Sequence, residues 1–250
     1  MQLSNQHQLQ RREGDAIQIS GDYQARALKS DRAVQRFWHE AKFRLIERVA
    51  MPEKHERVLD AGCGSGTISY FLSQHAGNVV GMDSNPSAIN FATTTYDMPN
   101  LGFRLGQFED LTADKPFDKI YCIEVIEHLF EQQVTEVLSL FHKLTNPGGQ
   151  LFLTTPNYRS AWPLIEWLLD RLGLAATMDE VQHVTHFNKR KLVAACQGAG
   201  WRVGHIGSFN GLAPFVAPVS RRLALRLEKV EFLLNRVLPE NLLFCVATRG

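Results

Sequence analysis

Residues 58–66 read Val-Leu-Asp-Ala-Gly-Cys-Gly-Ser-Gly, an apolar run that ends in an acid and continues with a glycine at every second position. This pattern predicts a buried strand, a tight turn and a helix that begins near Ser65. Glycines in such a turn let the backbone bend sharply and approach a ligand closely. A second apolar run, 79–82, ends at Asp83, at the spacing where an acid binds ribose hydroxyls. The two runs therefore predict a site for an adenosine-containing cofactor.

The charge of the glycine loop indicates which adenosine cofactor it binds. Asp60 would repel a diphosphate, and residues 58–82 contain no Lys or Arg that would neutralise one. The glycine spacing is G-x-G-x-G rather than the G-x-G-x-x-G of dinucleotide sites, and the G-K-[ST] run of a P-loop is absent from the sequence. A ligand that carries an ammonium and a sulfonium suits this acidic loop, and we expect S-adenosylmethionine.

Four segments resemble the motifs of class I S-adenosylmethionine-dependent methyltransferases, in the order and spacing of that family. They are VLDAGCGSGT (58–67), VVGMDSNPSAI (79–89), FDKIYCIEVIEHL (117–129) and NPGGQLFLTTPN (146–157). Among these enzymes the chain resembles the ubiquinone-biosynthesis O-methyltransferase-like group. The resemblance implies a Rossmann-like, doubly wound α/β fold, in which a seven-stranded, mostly parallel sheet ends in an antiparallel strand and carries helices on both faces.

The apolar periodicity also predicts alternating strands and helices, which indicates a mostly parallel sheet. We expect a polar N-terminal extension at 1–29 and a methyltransferase domain at 30–250. Within that domain we expect a lid insertion at 156–187 and a second insertion, with an amphipathic helix, at 209–240. The predicted strands are 57–60, 78–82, 101–106, 117–123, 150–155, 201–208 and 242–248, and the predicted helices are 30–50, 65–75, 86–96, 131–144 and 188–198.

In open α/β sheets a ligand lies at the carboxyl ends of the strands. We therefore expect Asp60 near the cofactor ammonium and Asp83 on the ribose hydroxyls, with Gln107 standing where relatives often have an acid near the adenine. Cys122 and Ile123, at the end of the fourth strand, are expected to flank the methionine and ribose. The full predicted set of cofactor-binding residues is Asp60, Gly62, Gly64, Gly66, Asp83, Ser84, Gln107, Phe108, Cys122 and Ile123.

The run after the fourth strand carries Glu124, Glu127 and His128, which share a face if the chain turns helical there. Two carboxylates and one or two imidazoles, the second from the later run that contains His183 and His186, are suitable ligands for a divalent metal, which would lower the pKa of a bound hydroxyl. Without a metal, His128, His183 or His186 would be the general base, because the ordinary pKa of histidine suits proton removal near neutral pH. The same run would also serve to hydrogen-bond neighbouring loops, and methyl transfer itself requires little beyond alignment.

The segments expected around the acceptor are rich in aromatic residues, which favours a small hydrophobic, aromatic or lipid-like acceptor. These residues are Tyr23, Phe37, Trp38, His39, Trp162, Trp167, Phe209 and Phe215. Residues 219–238 place six apolar side chains at helical spacing and carry five Lys or Arg against two Glu. Such a helix within 212–238 would contact an anionic membrane surface, or else pack on the core or on a second copy.

The composition of the chain limits which classes of partner and function remain to be considered. The 250 residues are 44% hydrophobic, and the formal net charge of +1 gives no electrostatic reason to expect nucleic acid as a partner. Four scattered cysteines without a C-x-x-C motif indicate small buried residues in a reducing, cytoplasmic environment. An RNA 2′-O-methyltransferase with a Glu/Glu/His metal site, or a non-catalytic S-adenosylmethionine-binding module, remains the alternative to a small-molecule O-methyltransferase.

Overall fold

The computed structural model describes residues 20–112, 115–164 and 183–250. Its centre is one seven-stranded sheet with the strand order β3-β2-β1-β4-β5-β7-β6. The strands are β1 (Arg57–Ala61), β2 (Asn78–Asp83), β3 (Leu101–Leu105), β4 (Phe117–Ile123), β5 (Thr145–Pro156), β6 (Trp201–Phe209) and β7 (Leu242–Arg249).

The strand directions confirm the predicted fold class. Strands β1 to β5 pair in parallel, whereas β7 lies antiparallel between β5 and β6. Because parallel strands end at the same edge, the register brings Ala61 beside Cys122 and Ile123 beside Thr154. This edge is where the glycine loop and the loops after β4 and β5 emerge.

Eight α-helices lie wholly within the described residues. They are α1 (Tyr23–Leu28), α2 (Ala33–Val49), α3 (Thr67–Ser73), α4 (Pro86–Thr95), α5 (Glu131–Leu144), α6 (Lys189–Gly198), α7 (Ala213–Val216) and α8 (Arg221–Leu233). Helix α4 begins where its sequence dictates, since the Asn85 side chain accepts from the backbone N–H of Ser87 and Pro86 occupies the first turn.

Apolar clusters cover both faces of the sheet. On one face α5 and α6 pack through Phe141, Leu192 and Trp201, and the indole Nε1 of Trp201 donates to the Leu138 carbonyl at 2.9 Å. On the other face α2 and α3 pack through Ile46 and other buried aliphatic residues. Each such fully buried side chain stabilises the fold by about 1.5–3 kcal/mol relative to its exposure.

Most expected boundaries are shifted by one to three residues, and three differences are larger. Strand β5 begins at Thr145 rather than 150, since Thr145 pairs with Phe117 ahead of a register shift in β4. Helix α1 lies within the 1–29 segment that was expected to be a polar extension. The amphipathic helix expected over 219–238 is shorter, since α8 spans Arg221–Leu233, and the separate short helix α7 precedes it.

Part of the predicted lid, including Trp167, lies outside the described residues. Its flanks are tied together, because Asn157 and Phe187 form an isolated parallel β-bridge. In the portion of the chain that the structure describes, no helix has the length and apolarity that crossing a bilayer requires.

Candidate active site

The loop between β1 and α3 takes a conformation that glycine makes possible. Gly62, Gly64 and Gly66 have φ angles of +77°, +51° and +76°, which L residues with a side chain rarely adopt. The backbone N–H of Gly62 donates to the Met82 carbonyl at 2.8 Å, which ties the loop to the end of β2. Space is also limited, since a Cβ at Gly62 would lie 2.4 Å from Cγ2 of Val125.

Asp83 supports the same loop from the end of β2. Its Oδ2 accepts from the backbone N–H of Gly64 at 2.8 Å, and its Oδ1 accepts from the backbone N–H of Asn85 at 2.8 Å. A carboxylate accepts about four hydrogen bonds, so these two leave capacity for ribose hydroxyls. Ser84, which follows it, is exposed.

Asp60 lies beneath the glycine loop and is 2% exposed. Burial raises its pKa to about 7, and the Ser69 hydroxyl, which donates to Oδ2 at 2.6 Å, opposes the rise. Asp83 raises the pKa further by its negative charge. A nearby ammonium would reverse this balance, because an adjacent cation favours the ionised carboxylate.

The loop after β3 lies beside Asp83, since the backbone N–H of Gly106 donates to the Asp83 carbonyl at 3.1 Å. The expected adenine contacts, Gln107 and Phe108, are therefore on the Asp83 side of the pocket. Gln107 is exposed, and the half-buried Phe108 ring packs edge-on against Phe141 at 5.4 Å.

Cys122 and Ile123 occupy the end of β4 and are 0% and 5% exposed. Their side chains belong to the apolar clusters on opposite faces of the sheet. Any contact that they make with a cofactor would come from their backbone rather than from their side chains.

Helix α1 closes over the glycine loop, a feature that the sequence did not indicate. A Cβ at Gly64 would lie 3.0 Å from the amide atoms of Gln24, and the Ser65 hydroxyl donates to Gln24 Oε1 at 3.4 Å. On the neighbouring residue, the Tyr23 ring meets His39 edge-on at 5.9 Å. Burial lowers the pKa of His39 well below its ordinary value, and Lys42 lowers it further.

Three titratable side chains converge beyond β4. Ligand atoms of Glu127, His128 and His183 all lie within 4.8 Å of one another, and the two imidazole rings are 5.0 Å apart. The segment that carries His183 is held to the β4 loop, since the backbone N–H groups of Val184 and Thr185 donate to the Glu127 carbonyl at 2.9 and 3.0 Å. The structure thus unites Glu127 and His128 with His183 from a distant segment.

Glu127 is 1% exposed, and its Oε2 accepts from the Thr155 hydroxyl at 3.0 Å. Burial raises its pKa to about 8, with His183 acting in the opposite direction and Glu124 adding to the rise. A buried carboxyl beside two imidazoles fits a site that holds a proton or a mixed O/N-ligated metal.

Glu124 is not part of this cluster and forms an ion pair with Lys42 instead. Its Oε2 lies 2.5 Å from Nζ of Lys42, a residue of α2 that is 4% exposed. Glu124 also has φ of +56°, which is uncommon for a residue other than glycine and is typical of strained functional positions. Its Oε1 is buried without a hydrogen-bond partner among the described residues.

Tyr158 contacts both His183 and His186. Its hydroxyl lies 2.9 Å from Nδ1 of His183, and its ring stacks on His186 with centroids 3.9 Å apart. His186 is exposed, so it lies at the rim of the cluster. Sequence reasoning missed Tyr158, although its position directly after β5, at the carboxyl edge of the sheet, was a usable signal. Lys42 carried no such signal, because its partner is 82 positions away.

The chain is similar to known proteins in both sequence and fold. A family model described as a methyltransferase domain matches residues 31–206. The chain belongs to this methyltransferase-domain family. The predicted resemblance to S-adenosylmethionine-dependent methyltransferases, and to the ubiquinone-biosynthesis group among them, is therefore confirmed.

The curated relatives include the ubiquinone biosynthesis O-methyltransferase of Coxiella burnetii, 34% identical over 114 residues. That match covers 44% of this chain and 47% of the relative, so the chain spans about half the length of the curated relatives that it matches.

Solved structures share the fold at lower identity. A chain in the Haloferax volcanii complex between the Trm112 methyltransferase activator and a methyltransferase gives a TM-score of 0.63 at 20% identity, covering 94% of this chain and 100% of that one. An S-adenosylmethionine-dependent methyltransferase from Mesorhizobium loti gives 0.61 at 19% identity, covering 84% and 98%.

Proposed function

We propose that this chain transfers a methyl group from S-adenosylmethionine to an oxygen of a small hydrophobic, aromatic or lipid-like acceptor. The observation that carries the proposal is the meeting of two features at one sheet edge. A glycine loop buttressed by Asp83 lies one strand away from the cluster of Glu127, His128 and His183. The first feature suits a sulfonium cofactor, and the second suits removal of a proton from a hydroxyl.

The residues present fit the cofactor. Glycines at positive φ occupy three of the five loop positions 62–66, buried Asp60 offers a carboxylate to an ammonium, and Asp83 retains acceptor capacity for hydroxyls. The bound cofactor supplies a methyl carbon that its sulfonium has already activated. The protein then has to align the acceptor and exclude water, which accounts for most of the rate in such a displacement.

Deprotonation of the acceptor is assigned to the histidine cluster. His128 and His183 are both half-buried beside Glu127, and His186 lies at the rim behind Tyr158. We assign the base to His128 or His183, with Tyr158 orienting the latter. Glu127, His128 and His183 also offer the donor set for a divalent ion, which would lower the pKa of an acceptor hydroxyl. In that form of the site, Glu124 would serve only after release from Lys42.

The aromatic residues near α2 support a hydrophobic acceptor. The ring centroids of Trp38 and Trp162 lie 5.5 Å apart. The Tyr23 ring of α1 contacts the His39 ring of α2 edge-on. The curated relatives named as ubiquinone biosynthesis O-methyltransferases agree with a ring hydroxyl as the target. The RNA alternative is not favoured, since a formal net charge of +1 gives no electrostatic reason to expect nucleic acid as a partner.

Calorimetric titration with S-adenosylmethionine and S-adenosylhomocysteine, with and without EDTA, tests the cofactor and the metal. We expect micromolar binding of both, and loss of binding in Asp83→Ala, which should still fold but melt a few degrees lower because it loses the hydrogen bonds to the N–H groups of Gly64 and Asn85. Methyl transfer to catechols with and without a prenyl tail then tests the acceptor. Cofactor binding without transfer to any hydroxyl acceptor would favour the non-catalytic module. Normal binding by Asp83→Ala would refute the site assignment.

A further inference from the structure

Helix α8 presents three of its large apolar side chains outward, whereas Leu225, Leu227 and Phe232 pack against the core. A surface helix ordinarily turns its apolar stripe toward the core and its charges toward water. In α8 the buried positions are Ala224, Glu228 and Glu231, whereas Leu223 and Val230 are more than half exposed. The two acids of α8 are therefore buried, while its cations and part of its apolar residues face outward.

Specific partners hold the two glutamates inward. Glu228 forms ion pairs with Arg44 at 2.7 Å and Arg48 at 3.0 Å, both from α2. Glu231 Oε1 accepts from the backbone N–H groups of Leu212 at 2.7 Å and Ala213 at 3.3 Å. Buried carboxylates need such partners to offset the loss of water. These contacts fix the orientation of α8, so that its outward surface is preformed.

The outward surface concentrates apolar area. Nine of the eleven exposed large hydrophobic residues in the described parts of the chain lie between 212 and 238, and Val219, Leu233 and Val237 are each more than 80% exposed. A patch of this kind on a monomer marks an interaction site. The nine are Leu212, Phe215, Val219, Leu223, Val230, Leu233, Leu234, Val237 and Leu238.

The charge of the same surface identifies its partner. All the exposed charges between 212 and 239 are cationic, at Arg221, Arg222, Arg226, Lys229 and Arg236, because the two acids in that range are buried. A second copy of this surface would bring five cations against five. An anionic bilayer accepts both features, since its headgroups attract Lys and Arg and its acyl boundary takes up Leu and Val.

We propose that residues 212–238, which include α7 and α8, form a docking surface for an anionic lipid bilayer. The surface adjoins the candidate acceptor side through α2. Phe37 packs on Ala213, Ala217 and Ala224, and the Asn210 side chain donates to the Trp38 carbonyl at 3.2 Å. Docking goes beyond methyl transfer and does not depend on it.

Co-sedimentation with phosphatidylcholine vesicles that contain phosphatidylglycerol tests the proposal with the full chain. The wild type is expected to pellet with these vesicles, less at higher salt, and to remain largely in the supernatant with phosphatidylcholine alone. Since each Lys or Arg near such a surface contributes roughly a fivefold factor, the triple variant Arg222→Glu, Arg226→Glu, Lys229→Glu should bind at least ~100-fold more weakly.

A matched control reverses three exposed cations elsewhere, as Lys143→Glu, Arg190→Glu and Arg202→Glu, and should leave most of the binding intact. A second variant, Leu223→Ser, Val230→Ser, Val237→Ser, keeps every cation and should also lose binding, because the apolar contact is removed. Melting curves check that each variant folds.

The proposal is overturned if the wild type does not bind anionic vesicles. It is overturned as well if both triple-charge variants lose binding equally, because binding would then depend on the net charge of the protein alone. It is also overturned if light scattering shows a wild-type dimer that the Leu223/Val230/Val237 variant converts to a monomer while vesicle binding persists. That result would assign the surface to a second copy of the chain.

Discussion

Replacing Gly62 and Gly64 separately by Ala tests how the cofactor loop is built. Both residues have positive φ, at +77° and +51°, so a Cβ strains the backbone at either position. Their surroundings differ. The new Cβ at position 62 would lie 2.4 Å from Cγ2 of Val125, whereas at position 64 it would lie 3.0 Å from the end of the flexible Gln24 side chain.

The two substitutions should therefore lower the free energy of unfolding by different amounts. The left-handed conformation costs an L residue about 1–2 kcal/mol, and this applies to both variants. Overpacking against a fixed neighbour adds about 1–3 kcal/mol, and it applies only at Gly62, since Gln24 moves aside. We expect Gly62→Ala to lower the free energy of unfolding by about 2–5 kcal/mol and Gly64→Ala by about 1–2 kcal/mol.

Urea unfolding measures both values, provided that the denaturant slope stays constant. A double-mutant cycle with Val125→Ala separates strain from clash, because shortening Val125 relieves only the clash. The coupling energy should be about 1–3 kcal/mol for the pair of positions 62 and 125, and near zero for 64 and 125. Equal losses in the two alanine variants, with no coupling in either cycle, would refute this account of the loop.

Three further predictions follow from titratable groups. The affinity for S-adenosylmethionine should rise with pH up to about 7 and then level off, because the cofactor ammonium favours ionised Asp60; calorimetry should show this slope flattened in Asp60→Asn. Tyr158→Phe should lower methyl transfer roughly tenfold to a hundredfold while S-adenosylhomocysteine binding stays unchanged, since it removes only the hydrogen bond that orients His183. Glu240 keeps its proton in the folded state up to about pH 8, because burial raises its pKa, whereas the unfolded chain releases it near the ordinary value. Wild-type melting temperature should therefore fall between pH 5 and pH 8 more than that of Glu240→Gln.

The parts of the fold that could be predicted are those that depend on short, local sequence patterns. Short apolar runs bounded by glycine or proline predict the strands, and the Asn85-Pro86 pair predicts the start of α4. The glycine loop and Asp83 were also predictable, since their relation depends on adjacent strand ends. The structure places the Asp83 carboxylate against the Gly64 N–H, so the glycine loop and the end of β2 lie side by side, while the role of Asp83 toward ribose stays a prediction.

The parts that were missed depend on pairing between distant segments. The sequence grouped Glu124 with Glu127 and His128 and left the choice between His183 and His186 open, whereas the structure pairs Glu124 with Lys42 and brings His183 to the other two. Helical spacing likewise placed the apolar residues of α8 on one face. It did not show that this face points outward, because that depends on Arg44 and Arg48 holding Glu228.

Helix α2 determines how the candidate site and the docking surface are oriented relative to each other. Residues seven and eleven apart share a helix face, so Phe37, Arg44 and Arg48 all point toward α7 and α8. Trp38 and Lys42, four apart, share the face toward Trp162 and Glu124. One rigid helix therefore carries both sets of contacts. A protein bound to a bilayer through α8 would hold the acceptor side at a fixed angle to the membrane, which is the arrangement that a lipid-soluble acceptor requires.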